Sequence, residues 1–213
     1  MEIEHPIFKQ SIQYIRSNLD ENQLNELEKR VLERLIHTCG DFTIQPDLFF
    51  SPQACEIGLN ALCAGAPVLT DTLMAKTAIK NVAQKTLKTE VFCALDWAPQ
   101  LVDSKNTRSS IGMEKAWAEL SLRYENEKSP IIIIGSAPTA LDLLIEILKK
   151  REKKPSLIVG MPVGFIGVLD VKNKLSNFLI PQIRLDGTRG GAALAGATVN
   201  ALLYESIKRE SSS

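Results

Sequence analysis

Residues 131–141 read Ile-Ile-Ile-Ile-Gly-Ser-Ala-Pro-Thr-Ala-Leu, and they decide the fold class. Four consecutive isoleucines leave no polar face, so a strand built from them must be covered on both sides, as in a parallel sheet. The run stops at Gly135. Pro138 suits the first position of a helix, where its missing N–H removes nothing, and Ser136 or Ala137 then falls at or before the cap. From 139 to 149 leucines and isoleucines return at helical spacing. The stretch predicts a buried strand, a tight turn and a helix.

Working outward, the unit repeats. Residues 67–70, 91–95 and 157–159 are further short apolar runs, and a last strand is expected around Ile183. The run at 157–159 leads into Gly160-Met161-Pro162-Val163-Gly164-Phe165. The strand around Ile183 leads into Gly187-Thr188-Arg189-Gly190-Gly191 and a small-residue helix over 192–204, whose alanines and Gly196 allow tight packing on the sheet. Such alternation predicts an α/β fold with a mostly parallel sheet between helices. Before it, residues 1–40 read as helical. Ile7, Phe8, Ile12 and Ile15 share one face, and Leu24, Leu27, Val31, Leu32 and Leu35 repeat at three- and four-residue spacing. Asp20 or Asn22 offers a cap for the second of these helices, and Gly40 an end. Residues 53–63 read as another helix, closed by Gly65. One domain over residues 1–210 is expected, with 211–213 a frayed tail.

Composition narrows the function. Hydrophobic residues make up 45% and charged residues 23% of 213, and 25 basic residues balance 25 acidic ones. Zero net charge argues against a nucleic-acid partner held by a basic face. The longest aliphatic run, 131–134, is far short of a membrane span, and the opening MEIEHPIFKQ lacks a signal-peptide core, so a cytoplasmic location and no membrane contact are expected. Cys39, Cys55, Cys63 and Cys93 show no C-x-x-C spacing and read as reduced, mostly buried thiols. Neither G-x-G-x-x-G nor a Walker lysine is present, which leaves NAD and ATP without a motif.

Three glycine-containing turns remain, each at the carboxyl end of an expected strand, where open α/β sheets bind ligands. Together, their N–H groups and helix N-termini suit a ligand with several carboxylates or phosphates; singly, each is more often plain turn chemistry. His37 falls in the last turn of its helix, where the negative end of the helix dipole stabilises a cation. By residue type alone it is a capping or packing residue more often than a catalyst. Thr107-Arg108-Ser109-Ser110 places hydroxyls at a helix start and a guanidinium fork beside them, suited either to a carboxylate or to a surface acid. Asp71, just past the first strand, is placed to cap the following helix. His5, before Pro6, reads as exposed.

Read in order, "RLIHTCGD" (34–41), "FSP" (50–52), "ALCAGAPVLTD" (61–71), "NTRSSIGM" (106–113), "IIGSAPTAL" (133–141), "PSLIVGMPVGFIG" (155–167) and "GTRGGAALAGATVNALL" (187–203) resemble the precorrin-8X methylmutase family over essentially the whole chain. The resemblance implies a three-layer flavodoxin-like α/β domain with extra N-terminal helices, working as a homodimer. It implies an isomerase of corrin (cobalamin) biosynthesis that moves a methyl group from C-11 to C-12 of precorrin-8X or cobalt-precorrin-8 to give the corrin product, with no metal, redox group or other cofactor. His37 matches the family's acid catalyst. Thr107, Arg108, Ser109, Gly135, Ser136, Ala137, Thr139, Val163, Gly164, Arg189, Gly190 and Gly191 fall in the segments that would hold the substrate. The alternative of the same fold is a corrinoid carrier without turnover. The chain departs from the family pattern at Ser136, where Asn is usual, at Thr188 and Ala192 in the last glycine turn, and at Val171-Lys172, where Ser-Lys is usual.

Overall fold

The computed structural model describes residues 5–19 and 23–210. Six strands, β1 (Leu48–Phe50), β2 (Val68–Thr70), β3 (Val91–Cys93), β4 (Ile131–Ile134), β5 (Leu157–Gly160) and β6 (Gln182–Leu185), form one sheet in the order β1-β6-β5-β4-β2-β3. β2 to β6 are parallel. β1 runs antiparallel on the edge beside β6, with Leu48 opposite Leu185 and Phe50 opposite Ile183. Without β1, the parallel strands follow the flavodoxin-like order. The chain moves outward from β2 to β3, then returns past β2 to β4, so the direction of winding switches between β2 and β4.

The sequence expectation of a parallel sheet covered on both faces is met residue by residue. Ile131 and Ile133 of β4 pack with α2 (Glu26–Cys39), α3 (Ala54–Ala64), α4 (Leu73–Lys85) and α8 (Ala192–Glu210). Ile132 and Ile134 face α5 (Arg108–Arg123), α6 (Pro138–Lys149) and α7 (Val168–Ser176). The two-residue period of the strand therefore divides one apolar run between two cores. Helix α1 (Pro6–Ser17) packs on α2 outside these layers. In α8, a Cβ on Gly196 would stand 2.9 Å from the Ala78 methyl, so the small-residue stripe seats α8 on α4 as well as on the sheet.

Several local expectations change. β1 was not anticipated. The strand expected over 91–95 ends at Cys93, because residues Ala94–Trp97 close into a 3-10 turn. Helix α2 is capped by Asn25 in a reciprocal box with Glu28, whereas Asp20 and Asn22 lie outside the described residues, as does the expected tail at 211–213. Gly40 ends α2 as expected, in a left-handed conformation. In α1, Ile12 and Ile15 are buried but Ile7, in the first turn, is exposed. Cys55 and Cys93 are buried, while Cys39 and Cys63 are exposed because they fall on the solvent sides of their helices. Among the described residues no helix is long and apolar enough to cross a membrane.

Candidate active site

The carboxyl ends of β2, β4, β5 and β6 converge on one rim, and the turns there are fastened to one another. The Met161 N–H donates to the Ile134 carbonyl at 2.8 Å and the Val163 N–H to the Gly135 carbonyl at 3.2 Å. The Gly164 N–H donates to the Thr188 carbonyl at 3.1 Å, and the Gly191 N–H to the Met161 carbonyl at 2.9 Å. The turns after β4, β5 and β6 thus form one hydrogen-bonded row. Two glycines are required by that closeness. A Cβ on Gly135 would lie 2.7 Å from the Ala192 backbone, and one on Gly190, at φ +157°, would lie 2.1 Å from the Met161 carbonyl oxygen. Both glycines are needed for the close contact between turns.

At the switch point the turn after β4 already holds an anion. Asp71 is fully buried, and its Oδ2 accepts from the N–H groups of Gly135 (3.2 Å), Ser136 (2.7 Å) and Ala137 (2.8 Å). The sequence expectation that Asp71 caps the next helix is corrected: Thr72 holds the N-cap position of α4, and Asp71 reaches across to the start of α6. These three N–H groups are therefore not free donors for a ligand carboxylate. Burial raises the carboxyl pKa of Asp71 against the pull of its three donors. The side chains of the turn stay accessible, Ser136 half-buried and Thr139 exposed.

The turn after β6 is held by the opposite charge. Lys172, 2% exposed, donates from Nζ to the carbonyls of Gly187 and Arg189, both at 2.7 Å. Burial pulls its pKa down to about 8, opposed by the nearby carboxylates of Asp186 and Asp47. The sequence reading passed over this residue as a site. Its signal was a lysine inside the apolar stripe Val168, Val171, Leu175 of α7. Arg189, expected at the substrate, is bonded to the segment that follows α2. Its Nη1 donates to Asp41 Oδ2 at 2.9 Å and Thr43 Oγ1 at 2.6 Å. Its Nη2 donates to the Thr43 carbonyl at 2.7 Å and Asp47 Oδ2 at 2.6 Å.

Beside the switch point, Thr107 caps α5 by accepting from the Ser110 N–H, and its hydroxyl meets that of Thr139 at 2.8 Å. This joins the start of α5 to the start of α6. Arg108 is exposed and bonds through Nε to the Pro99 carbonyl at 3.1 Å, leaving the outer end of its fork beyond that contact; Ser109 is half-buried next to it. Val163 is exposed and Gly164 half-buried on the β5 turn.

His37 lies toward the β1–β6 edge. It is exposed in the last turn of α2, edge-on to Phe8 with ring centroids 4.8 Å apart, and lines a cavity of about 460 Å³ with Gln10, Ser11, Tyr14, Ile36 and Phe42. Asp41, four residues on, ties this turn to Arg189. The structure therefore connects His37 to the β6 turn through that ion pair, while Thr107, Arg108 and Thr139 gather at the switch point; the cavity at His37 is not lined by that corner. His5 is exposed, as expected, and also caps α1 by accepting from the Ile7 N–H.

The model of the precorrin-8X methylmutase family matches residues 6–205. The chain belongs to this family. It is 36% identical to a precorrin-8X methylmutase of Pseudomonas aeruginosa, over 93% of this chain and 94% of the relative. It is 34% identical to a cobalt-precorrin-8 methylmutase of Synechocystis sp., over 94% and 95%. The crystal structure of a precorrin-8X methylmutase from Thermus thermophilus superposes with a TM-score of 0.85 at 30% identity, covering 95% of this chain and 96% of that one. The family membership accounts for the ordered segments of the sequence and for the flavodoxin-like order of the parallel strands.

Proposed function

We propose that the chain is the isomerase that moves a methyl group from C-11 to C-12 of precorrin-8X or cobalt-precorrin-8, with His37 as the acid. In this shift one carbon–carbon bond breaks at C-11 and one forms at C-12, with no net change in oxidation or composition. A proton lent to the macrocycle lowers the barrier and is returned at the end, a task suited to imidazole. The observation that carries the reading is an exposed His37 beside the rim where the family's ordered segments converge. Relatives bear names with and without cobalt, so both substrate forms are candidates.

Pinning the ring's acid arms falls to side chains rather than to the turn after β4, whose N–H groups serve Asp71. Arg108, Ser109, Ser136 and Thr139 present hydroxyls and a guanidinium on the accessible side of the switch point, and orienting a bound ring is worth several orders of magnitude in rate. Val163, Phe165, Ile166 and Leu169 add an exposed apolar stretch on the turn after β5 and the start of α7. Such a stretch favours burial against a second copy of the chain, and so a homodimer. The location is cytoplasmic in this reading.

Incubation with each substrate form, followed in the visible spectrum, tests the activity: conversion to the corrin chromophore is expected, and no conversion of either form overturns it. H37A is expected to abolish turnover while the product still binds. Unchanged turnover in H37A removes the histidine from the chemistry, and tight product binding without turnover in the wild type supports the carrier instead.

A further inference from the structure

The last turn of α2 carries His37, but it has no sheet strand of its own to fix it at the rim. What fixes it is visible in two steps. Lys172 donates to the Gly187 and Arg189 carbonyls, both at 2.7 Å, from a position almost sealed from solvent. Arg189 then projects from the backbone so held and spends four N–H donors on Asp41, Thr43 and Asp47. A guanidinium has five such donors in a rigid plane. With four used on the segment that follows α2, little remains for a substrate carboxylate, and the planar fork fixes that segment in angle as well as distance. Asp41 also accepts from the Thr43 N–H at 2.8 Å, so the acceptor side of the clamp is itself pre-set.

We propose that Lys172 and Arg189 form a latch that holds the His37-bearing end of α2 against the turn after β6, and that Arg189 acts as a positioning residue rather than as a substrate ligand. The inference rests on the histidine chemistry proposed above for its effect on rate, and on geometry alone for its effect on structure. A group misplaced by an ångström loses about 100-fold in rate without losing its substrate. The latch therefore belongs to the turnover step and not to binding.

The test compares R189Q with the double variant D41N/D47N and with the two combined. Each is expected to raise amide hydrogen exchange in residues 36–47 while leaving the strands protected. Each is expected to lower kcat by about 10- to 100-fold with KM within a few fold, and the combined variant is expected to be no worse than R189Q. K172M is expected to reproduce the pattern. Should K172M fail to fold, the surface variants still decide the matter. A tenfold rise in KM for R189Q with D41N/D47N like the wild type makes Arg189 a substrate ligand and overturns the latch. Unchanged exchange in both overturns it as well. If the wild type converts neither substrate form, the exchange measurement still judges the latch, and only the proposed reaction falls.

Discussion

The turns after β4 and β6 both run from a buried strand through a glycine-containing turn into a helix, yet they are held in opposite ways. The first is gripped at its N–H groups by a buried carboxylate, Asp71, reaching from β2. The second is gripped at its carbonyls by a buried ammonium, Lys172, reaching from α7. In the first turn the protein supplies its own anion at a helix N-terminus, a place that attracts anions in general. The second exposes carbonyls inward and needs a cation. A glycine turn at a strand end therefore says little about what it will bind until the groups facing it are known, and both of these are satisfied from within.

The largest expected effect comes from breaking the acidic grip. D71A leaves three N–H groups without an acceptor, two of them buried, a loss of about 3–5 kcal/mol in stability, read as the shift in the urea midpoint at constant slope. D71N keeps an oxygen for those donors and is expected to lose about 1 kcal/mol. Equal losses in the two variants would mean that the charge, and not the acceptor, holds the turn. K172M comes next. It strands the Gly187 and Arg189 carbonyls but also removes a poorly solvated charge, so about 1–3 kcal/mol is expected by the same measurement.

Acidity sharpens the contrast further. The folded pKa of Lys172 is about 8 and its unfolded value 10.5. Between these the unfolded chain binds the extra proton, so the contribution of Lys172 to stability rises with pH through that window. Wild type is thus expected to gain in melting temperature over K172M as pH goes from 8 to 10.5. Asp71 has a folded pKa raised above its ordinary value of 3.8. The folded form keeps its proton longer, and stability falls as pH rises through the interval. The difference between wild type and D71N is expected to shift in that direction across the acid range. The smallest effect belongs to T139V, which removes the hydroxyl pair between α5 and α6 at an exposed site, and about 0.5–1 kcal/mol is expected.

The comparison also marks what the sequence can carry. Ile131–Ile134 matched the observed strand to the residue, because an unbroken aliphatic run admits few fates. Pro138 opened α6 and Gly40 closed α2 as local chemistry requires. β1 escaped notice because three residues hold no period, and its pairing to β6 spans most of the chain. The partners of Asp71 lie 64 to 66 residues away, and those of Arg189 more than 140, so neither set of partners could be read from local sequence. Lys172 was the legible omission: a charge in an apolar helical stripe demands buried acceptors. His37 was placed correctly at its helix end, and its proposed role came from the ordered family segments rather than from its spacing.

The row of hydrogen bonds joining Met161, Val163, Gly164 and Gly191 to their neighbouring turns has a calorimetric consequence. The backbone order of the rim is settled during folding, not on encounter with a macrocycle. The heat-capacity change on association should then track the apolar ring area removed from water, without the larger change that accompanies segments folding around a ligand. In the reading proposed above, association would resemble a plate seated in a rigid bracket, with its entropy cost confined to the ligand's own arms and the side chains that meet them.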